Sequence, residues 1–175
     1  DRQRFRKVRF VGAHPMAGSH EAGIESARPD LFDGSFTFVT RGPHTTPSAL
    51  KAAISFWRRI GERVVVIRPA EHDRIVAETS HLPHLLATLL IRGASRRYLP
   101  YAATGFMDTT RIAQGDPKLW VDIMLANRSF LLKLLGKHRR LLEGMIHLLE
   151  SRNRSLLEAW LKQAAEIRKK LSPKG

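Results

Sequence analysis

From Arg4 to Val11 basic and apolar side chains alternate and then give way to a wholly apolar run, the pattern of a strand entering a sheet core. Gly34 to Thr40 (GSFTFVT) repeats the pattern and is closed by Arg41-Gly42-Pro43. Thr46 then stands where a helix cap belongs, with Pro47 at the first helical position, and Leu50, Ile54, Trp57 and Ile60 recur at helical spacing until Gly61. Arg63 to Arg68 (RVVVIR) makes a third strand. A strand, helix, strand order implies a parallel pair joined by a right-handed crossover, so residues 1–68 are expected to form α/β structure.

Beyond Pro69 the period changes, because every later segment is helical or unpatterned. Glu71 to Ile91 predicts one long helix with Pro83 inside it. That proline removes a backbone donor and leaves the Thr79 carbonyl without its usual partner, so a kink is expected there. Gly93 to Thr104 has the character of a loop, and Asp108 to Ala113 that of a short helical turn. Asp116-Pro117 opens a helix to about Leu135, and Lys137 to Glu150 and Ser155 to Leu171 follow as two more. Their leucine, isoleucine and methionine content exceeds what a small bundle can hide, which points to packing on a second subunit. The fold class expected is α/β followed by all-α, with domains at 1–68 and 69–175.

Composition narrows the function classes. At 43% hydrophobic residues over 175 positions the chain can bury a core, and no run reaches the roughly 20 apolar residues of a membrane span; Leu82 to Ile91 is broken by Pro83 and His84. Without cysteine there are no disulfides and no thiolate metal sites, a composition compatible with a reducing cytoplasm. The first residues, Asp1-Arg-Gln-Arg, carry neither an initiator Met nor an apolar signal segment, and suggest part of a longer chain. A formal charge of +14 raises nucleic acid as a partner. The basic clusters are scattered, however, with few aromatic residues among them and no zinc-finger or RNP-like spacing, so a solvated basic surface is the better reading.

Candidate chemistry concentrates in Gly12 to Gly23 (GAHPMAGSHEAG), a stretch expected to be a loop at the end of the first strand. Its glycines let backbone approach a ligand, while His14, Ser19 and His20 supply polar reach. Ser80 to His84 (SHLPH) puts two histidines three apart beside the proline kink. Metal ligation with His72, Asp73 and Glu78 is conceivable, but no zinc signature such as HExxH appears, and a ligand-facing histidine is preferred. In Gly105 to Ala113 (GFMDTTRIA), Arg111 is either a surface partner of Asp108 or a guanidinium fork aimed at a carboxylate.

Five segments occur together and in order: HPMAGS (14–19), AEHD (70–73), SHLPH (80–84), GFMDTTRIA (105–113) and DPKLWVDIMLANR (116–128). In this the chain resembles the prephenate dehydrogenase and arogenate dehydrogenase family over nearly its whole length. The resemblance implies the back half of a Rossmann-like nucleotide-binding domain in residues 1–68 and a helical dimerisation and substrate-binding domain in 69–175. It also implies oxidative decarboxylation of prephenate or arogenate in tyrosine biosynthesis, with NAD or NADP as cofactor and a homodimer as the assembly. Neither a membrane nor a nucleic acid is then a partner, and no metal is needed.

By the same resemblance His14 is the catalytic histidine that takes the hydrogen bond of the substrate's ring hydroxyl, and Ser19, His84 and Arg111 bind substrate, Arg111 through a carboxylate. The fingerprint GxGxxG does not occur, so the cofactor-binding residues are not in view, nor is the one that tells NAD from NADP. At Met107, where relatives often carry Lys or Arg, and at His20, where many carry Glu, the chain departs from the family, which puts an ionic gate between those positions in doubt. Two rival readings stand beside this one: a catalytically silent dimerisation fragment, and a basic helical nucleic-acid-binding protein.

Overall fold

Strand pairing in the computed structural model, which describes residues 10–17, 27–60 and 63–171, builds a three-stranded sheet in the order β1 (Gly12–Pro15), β2 (Phe36–Thr40), β3 (Arg63–Ile67). β2 and β3 run parallel, with Phe38 opposite Val65, as the intervening helix α1 (Pro47–Arg59) requires. Thr46 caps α1 by accepting from the Ala49 amide at 3.3 Å, and Pro47 opens it. Leu50, Ala53, Ile54 and Trp57 form its half-buried stripe, and Phe32 meets Trp57 edge to face. Thr37, Phe38 and Val39 of β2 are buried, since this is the strand with a neighbour on each side.

β1 departs from expectation. The strand was expected over residues 4–11, of which only Phe10 and Val11 are described, and neither is in a strand; pairing starts at Gly12 and takes in His14. β1 lies antiparallel to β2, with Gly12 opposite Thr40 and His14 opposite Phe38. The Thr40 hydroxyl donates to the Gly12 carbonyl at 3.2 Å and lies 2.6 Å from where a Cβ at Gly12 would stand. A side chain at position 12 would have to displace that hydroxyl before the strands could close as they do.

The long helix expected from Glu71 to Ile91 is a continuous helical run in three parts: α2 (Pro69–Val76), a π-helical turn (Ala77–His81) and α3 (Leu82–Gly93). Pro83 has no N–H to give, and ahead of it the ladder shifts register, the Leu82 amide bonding back to the Ala77 carbonyl. A 3₁₀ turn at Leu99–Tyr101, α4 (Thr104–Thr110) and a second 3₁₀ turn at Arg111–Gln114 follow. α5 (Pro117–Ala126) is capped by Asp116, which accepts from the Lys118 amide at 3.0 Å.

The helix expected to run on to Leu135 stops at Asn127, and α6 (Arg128–Glu150) then passes through Lys137 without interruption. The Asn127 side chain explains the break. It is buried, and its amide nitrogen donates to the Asp73 carbonyl at 2.7 Å and to the His81 Nδ1 at 3.2 Å. Those two bonds outweigh helix continuity.

The chain divides into two units, residues 1–131 and 132–175. The first holds the sheet, the segments from α1 to α5, and the buried core of Phe38, Val39, Val76, Ala77, Leu82, Ala87 and Leu131. The second holds the remainder of α6 and α7 (Arg154–Lys170), which Asn153 caps by accepting from the Leu156 amide at 3.1 Å. The architecture is thus α/β followed by all-α. Among the described residues no helix is long and apolar enough to cross a membrane.

Candidate active site

β1 delivers His14, and its partner strand fixes where the ring goes. Residues facing each other across an antiparallel pair project to the same side, so His14 and Phe38 share one face of the sheet. His72 of α2 meets both, its ring 5.2 Å from that of His14 and 5.7 Å, edge on, from that of Phe38. The Nδ1 of His14 lies 2.9 Å from the Nε2 of His72, and the Nδ1 of His72 lies 2.9 Å from the Oδ1 of Asp73. Since α2 follows directly on β3, His72 and Asp73 stand just past the carboxyl end of a parallel strand, where open α/β sheets bind ligands.

A second pair of histidines comes from the proline-adjacent segment. His81 lies in the π-helical turn, accepts from Asn127, and faces Trp120 edge on at 6.1 Å. On α3, His84 is 4% exposed and stacks on the Trp120 indole at 3.6 Å between centroids and 17° between planes. Gly115 makes this stack possible, since a Cβ there would run into the indole and come within 3.2 Å of the His84 Cε1. The Nδ1 of His84 is buried without a protein hydrogen-bond partner.

Three of these rings are held towards the neutral form. Burial pushes the His14 pKa down, and His72 adds to the effect. For His81 burial acts first, then His14 and His72, with Asp73 opposing them weakly. Burial lowers His84 as well, against a smaller upward pull from a backbone hydrogen bond with Ile112. Neutral imidazoles can accept a hydrogen bond as well as give one, which a proton-accepting site needs.

The expected site residues fall into three groups. His14 lies with the rings of His72 and Phe38, and His84 with that of Trp120, which His81 also faces. Arg111 lies in the 3₁₀ turn beside Ile112, is exposed, and makes no ion pair or hydrogen bond among the described residues, Asp108 included, so its guanidinium is unengaged. Ser19 and His20 lie outside the described residues, whereas Met107 is exposed on α4. For the ligand set that the sequence offers, His72, Asp73, Glu78, His81 and His84, no group of three among the described residues is placed to hold an ion. The residues that periodicity missed are Trp120 and Asn127, and with them the role of His72 and Asp73. One signal was present, in that a strand running into a Pro-initiated helix marks a carboxyl-end position.

The sheet leads directly into helices, and the histidines gather where β3 gives way to α2 and the π-helical turn. Residues 2–66 match the family model described as prephenate dehydrogenase, nucleotide-binding domain, and residues 68–163 that of prephenate dehydrogenase, dimerization domain. The chain belongs to the prephenate dehydrogenase family. It is 32% identical over 168 residues to the prephenate dehydrogenase of Bacillus subtilis (strain 168), covering 93% of this chain and 45% of that protein. To the cyclohexadienyl dehydrogenase of Zymomonas mobilis it is 35% identical over 133 residues, 72% of this chain and 45% of the relative. Among solved structures, prephenate dehydrogenase from A. aeolicus in complex with hydroxyphenyl propionate and NAD+ superposes with a TM-score of 0.87 at 30% identity, over 97% of this chain and 62% of that one. Synechocystis arogenate dehydrogenase gives 0.82 at 30% identity, over 95% and 63%. The chain therefore spans about half the length of the curated relatives it matches.

The lowered histidines set a sign for stability against pH. The unfolded chain, with ordinary histidine pKa values near 6.5, takes up protons before the folded one does. The stability these groups contribute is present above about pH 6.5 and is lost as pH falls from there through the lowered folded values. Thermal unfolding should show a fall in Tm between pH 7.5 and pH 5, reduced in a His84→Gln variant; a flat profile would contradict the desolvation argument.

Proposed function

We propose that the protein carrying this chain oxidises prephenate or arogenate with NAD or NADP and releases carbon dioxide, and that residues 69–175 supply its substrate pocket and dimer interface while 1–68 belong to the nucleotide-binding domain. The observation that carries this reading is His14, on β1 with its Nδ1 2.9 Å from the His72 Nε2 and with no hydrogen bond to Nε2 among the described residues. The His14 Nε2 takes the proton of the substrate's ring hydroxyl as the carbon that bears it loses a hydride and becomes a carbonyl carbon. The electron pair of the breaking carbon–carboxylate bond then flows into the ring, which becomes aromatic as carbon dioxide leaves. The bound nicotinamide supplies the hydride acceptor.

The donor set suits that partner at its reactive end: a proton acceptor, held towards its neutral form, on the same sheet face as the apolar ring of Phe38. A phosphate-cradling fingerprint does not occur in this sequence, so no residue here is assigned to the pyrophosphate or the ribose. The unengaged Arg111 suits a substrate carboxylate, which its planar fork can hold with two bonds. His84, its ring stacked on Trp120 and its Nδ1 buried without a protein partner, and Ser19 keep the substrate-binding roles that the resemblance implies.

In the full-length protein His14→Asn should lower kcat by about 10²- to 10⁴-fold with little change in substrate affinity. Arg111→Ala should do the reverse, weakening binding by about 1.5 to 3 kcal/mol, or roughly tenfold or more in Kd. Normal turnover in the first variant removes His14 from the chemistry, and unchanged affinity in a folded second variant removes the carboxylate clamp. The homodimer rests on the apolar side chains that the second unit leaves exposed, among them Leu142, Ile146, Leu149, Leu156, Leu161 and Ile167. Sedimentation at micromolar concentration should report twice the chain mass; a monomer there would refute the assembly.

A further inference from the structure

We propose that Asp73 and His72 are positioning residues that fix the proton of His14 on Nδ1, so that its Nε2 lone pair faces the substrate. The proposal rests on the reading of His14 as the base, and adds what makes it one.

The argument is one of proton counting along two short contacts. Between the His14 Nδ1 and the His72 Nε2, 2.9 Å apart, one proton must lie, since two bare lone pairs at that distance repel. Between the His72 Nδ1 and the Asp73 Oδ1, also 2.9 Å apart, the same holds, and an ionised carboxylate can only accept. The proton there belongs to the His72 Nδ1. In the state in which each ring carries a single proton, the His72 Nε2 accepts, and the proton shared with His14 belongs to the His14 Nδ1. What remains on His14 is a bare Nε2.

The opposite order would put a lone pair of His72 against the carboxylate and leave His14 with a proton on Nε2, unable to act as a base. Phe38 holds the His72 ring edge on, and the Asn127 bond to the Asp73 carbonyl anchors the turn that carries the carboxylate. When His14 takes up the substrate proton, the new cation has its Nδ1–H directed at His72 and, beyond it, at the negative charge of Asp73. Asp73 is half-exposed, so solvent screens part of that stabilisation, and its larger contribution is the choice of tautomer.

Asp73→Asn tests this, because an amide turned to give its N–H to the His72 Nδ1 reverses every proton in the chain at almost no change in shape. In the full-length protein labelled with ¹⁵N-histidine, the unmodified form should show the His14 proton on Nδ1. Asp73→Asn should move it to Nε2 and lower kcat at least about tenfold, with KM within about threefold. Asp73→Glu should restore the Nδ1 tautomer and part of the lost turnover. A His14 proton already on Nε2 in the unmodified protein, or one that stays on Nδ1 in Asp73→Asn whatever the rate does, overturns the proposal. The tautomer readout does not depend on turnover. A His14→Asn variant with normal turnover therefore refutes the base assignment, while the proton's position on His14 is still decided by its own measurement.

Discussion

The cross-strand pairing of His14 with Phe38 is the constraint on which the candidate site depends. It puts both rings on one face of the sheet, so that a single imidazole from α2 can touch both at once. Had the register slipped by one residue, His14 would project to the other face, away from His72. The register is guarded by a steric lock rather than by a strong bond. Gly12 has no side chain, and the Thr40 hydroxyl fills the space where one would stand.

The helical side of the site is tied down by a different device. Asn127 ends one helix so that its amide can hold both the backbone of Asp73 and the ring of His81. Proline 83 and the π-helical turn before it place His81 and His84 towards Trp120 from different parts of one helical run. The helix irregularities are therefore where the side chains of the candidate site sit. A regular α-helix from Pro69 to Gly93 would carry the same histidines at other angles.

Much of this was legible in the sequence where the signals are local. The cap at Thr46 with Pro47, the apolar strands closed by turn residues, and the disturbance around Pro83 are each written within a few positions. The stretch that carries His14 reads as a loop in the sequence but is a strand, because the fit of Gly12 against Thr40 spans 28 residues. The break at Asn127 was missed for the same reason: its partners lie 46 and 54 residues away, and nothing in the helical period announces them. His14, His84 and Arg111 were singled out by family likeness and glycine-rich surroundings. The contact between His14 and His72, 58 positions apart, exists only once the sheet is built.

Gly115 carries a consequence for how the family can vary. Because the Trp120 indole occupies the volume a side chain at 115 would need, the two positions are not free to drift independently. A relative with a larger residue at the place of Gly115 must give up the indole or turn it away, and with it the flat surface on which the His84 ring rests. Positions 115 and 120 should therefore change together across homologous sequences, as a linked pair whose members are five residues apart along the chain.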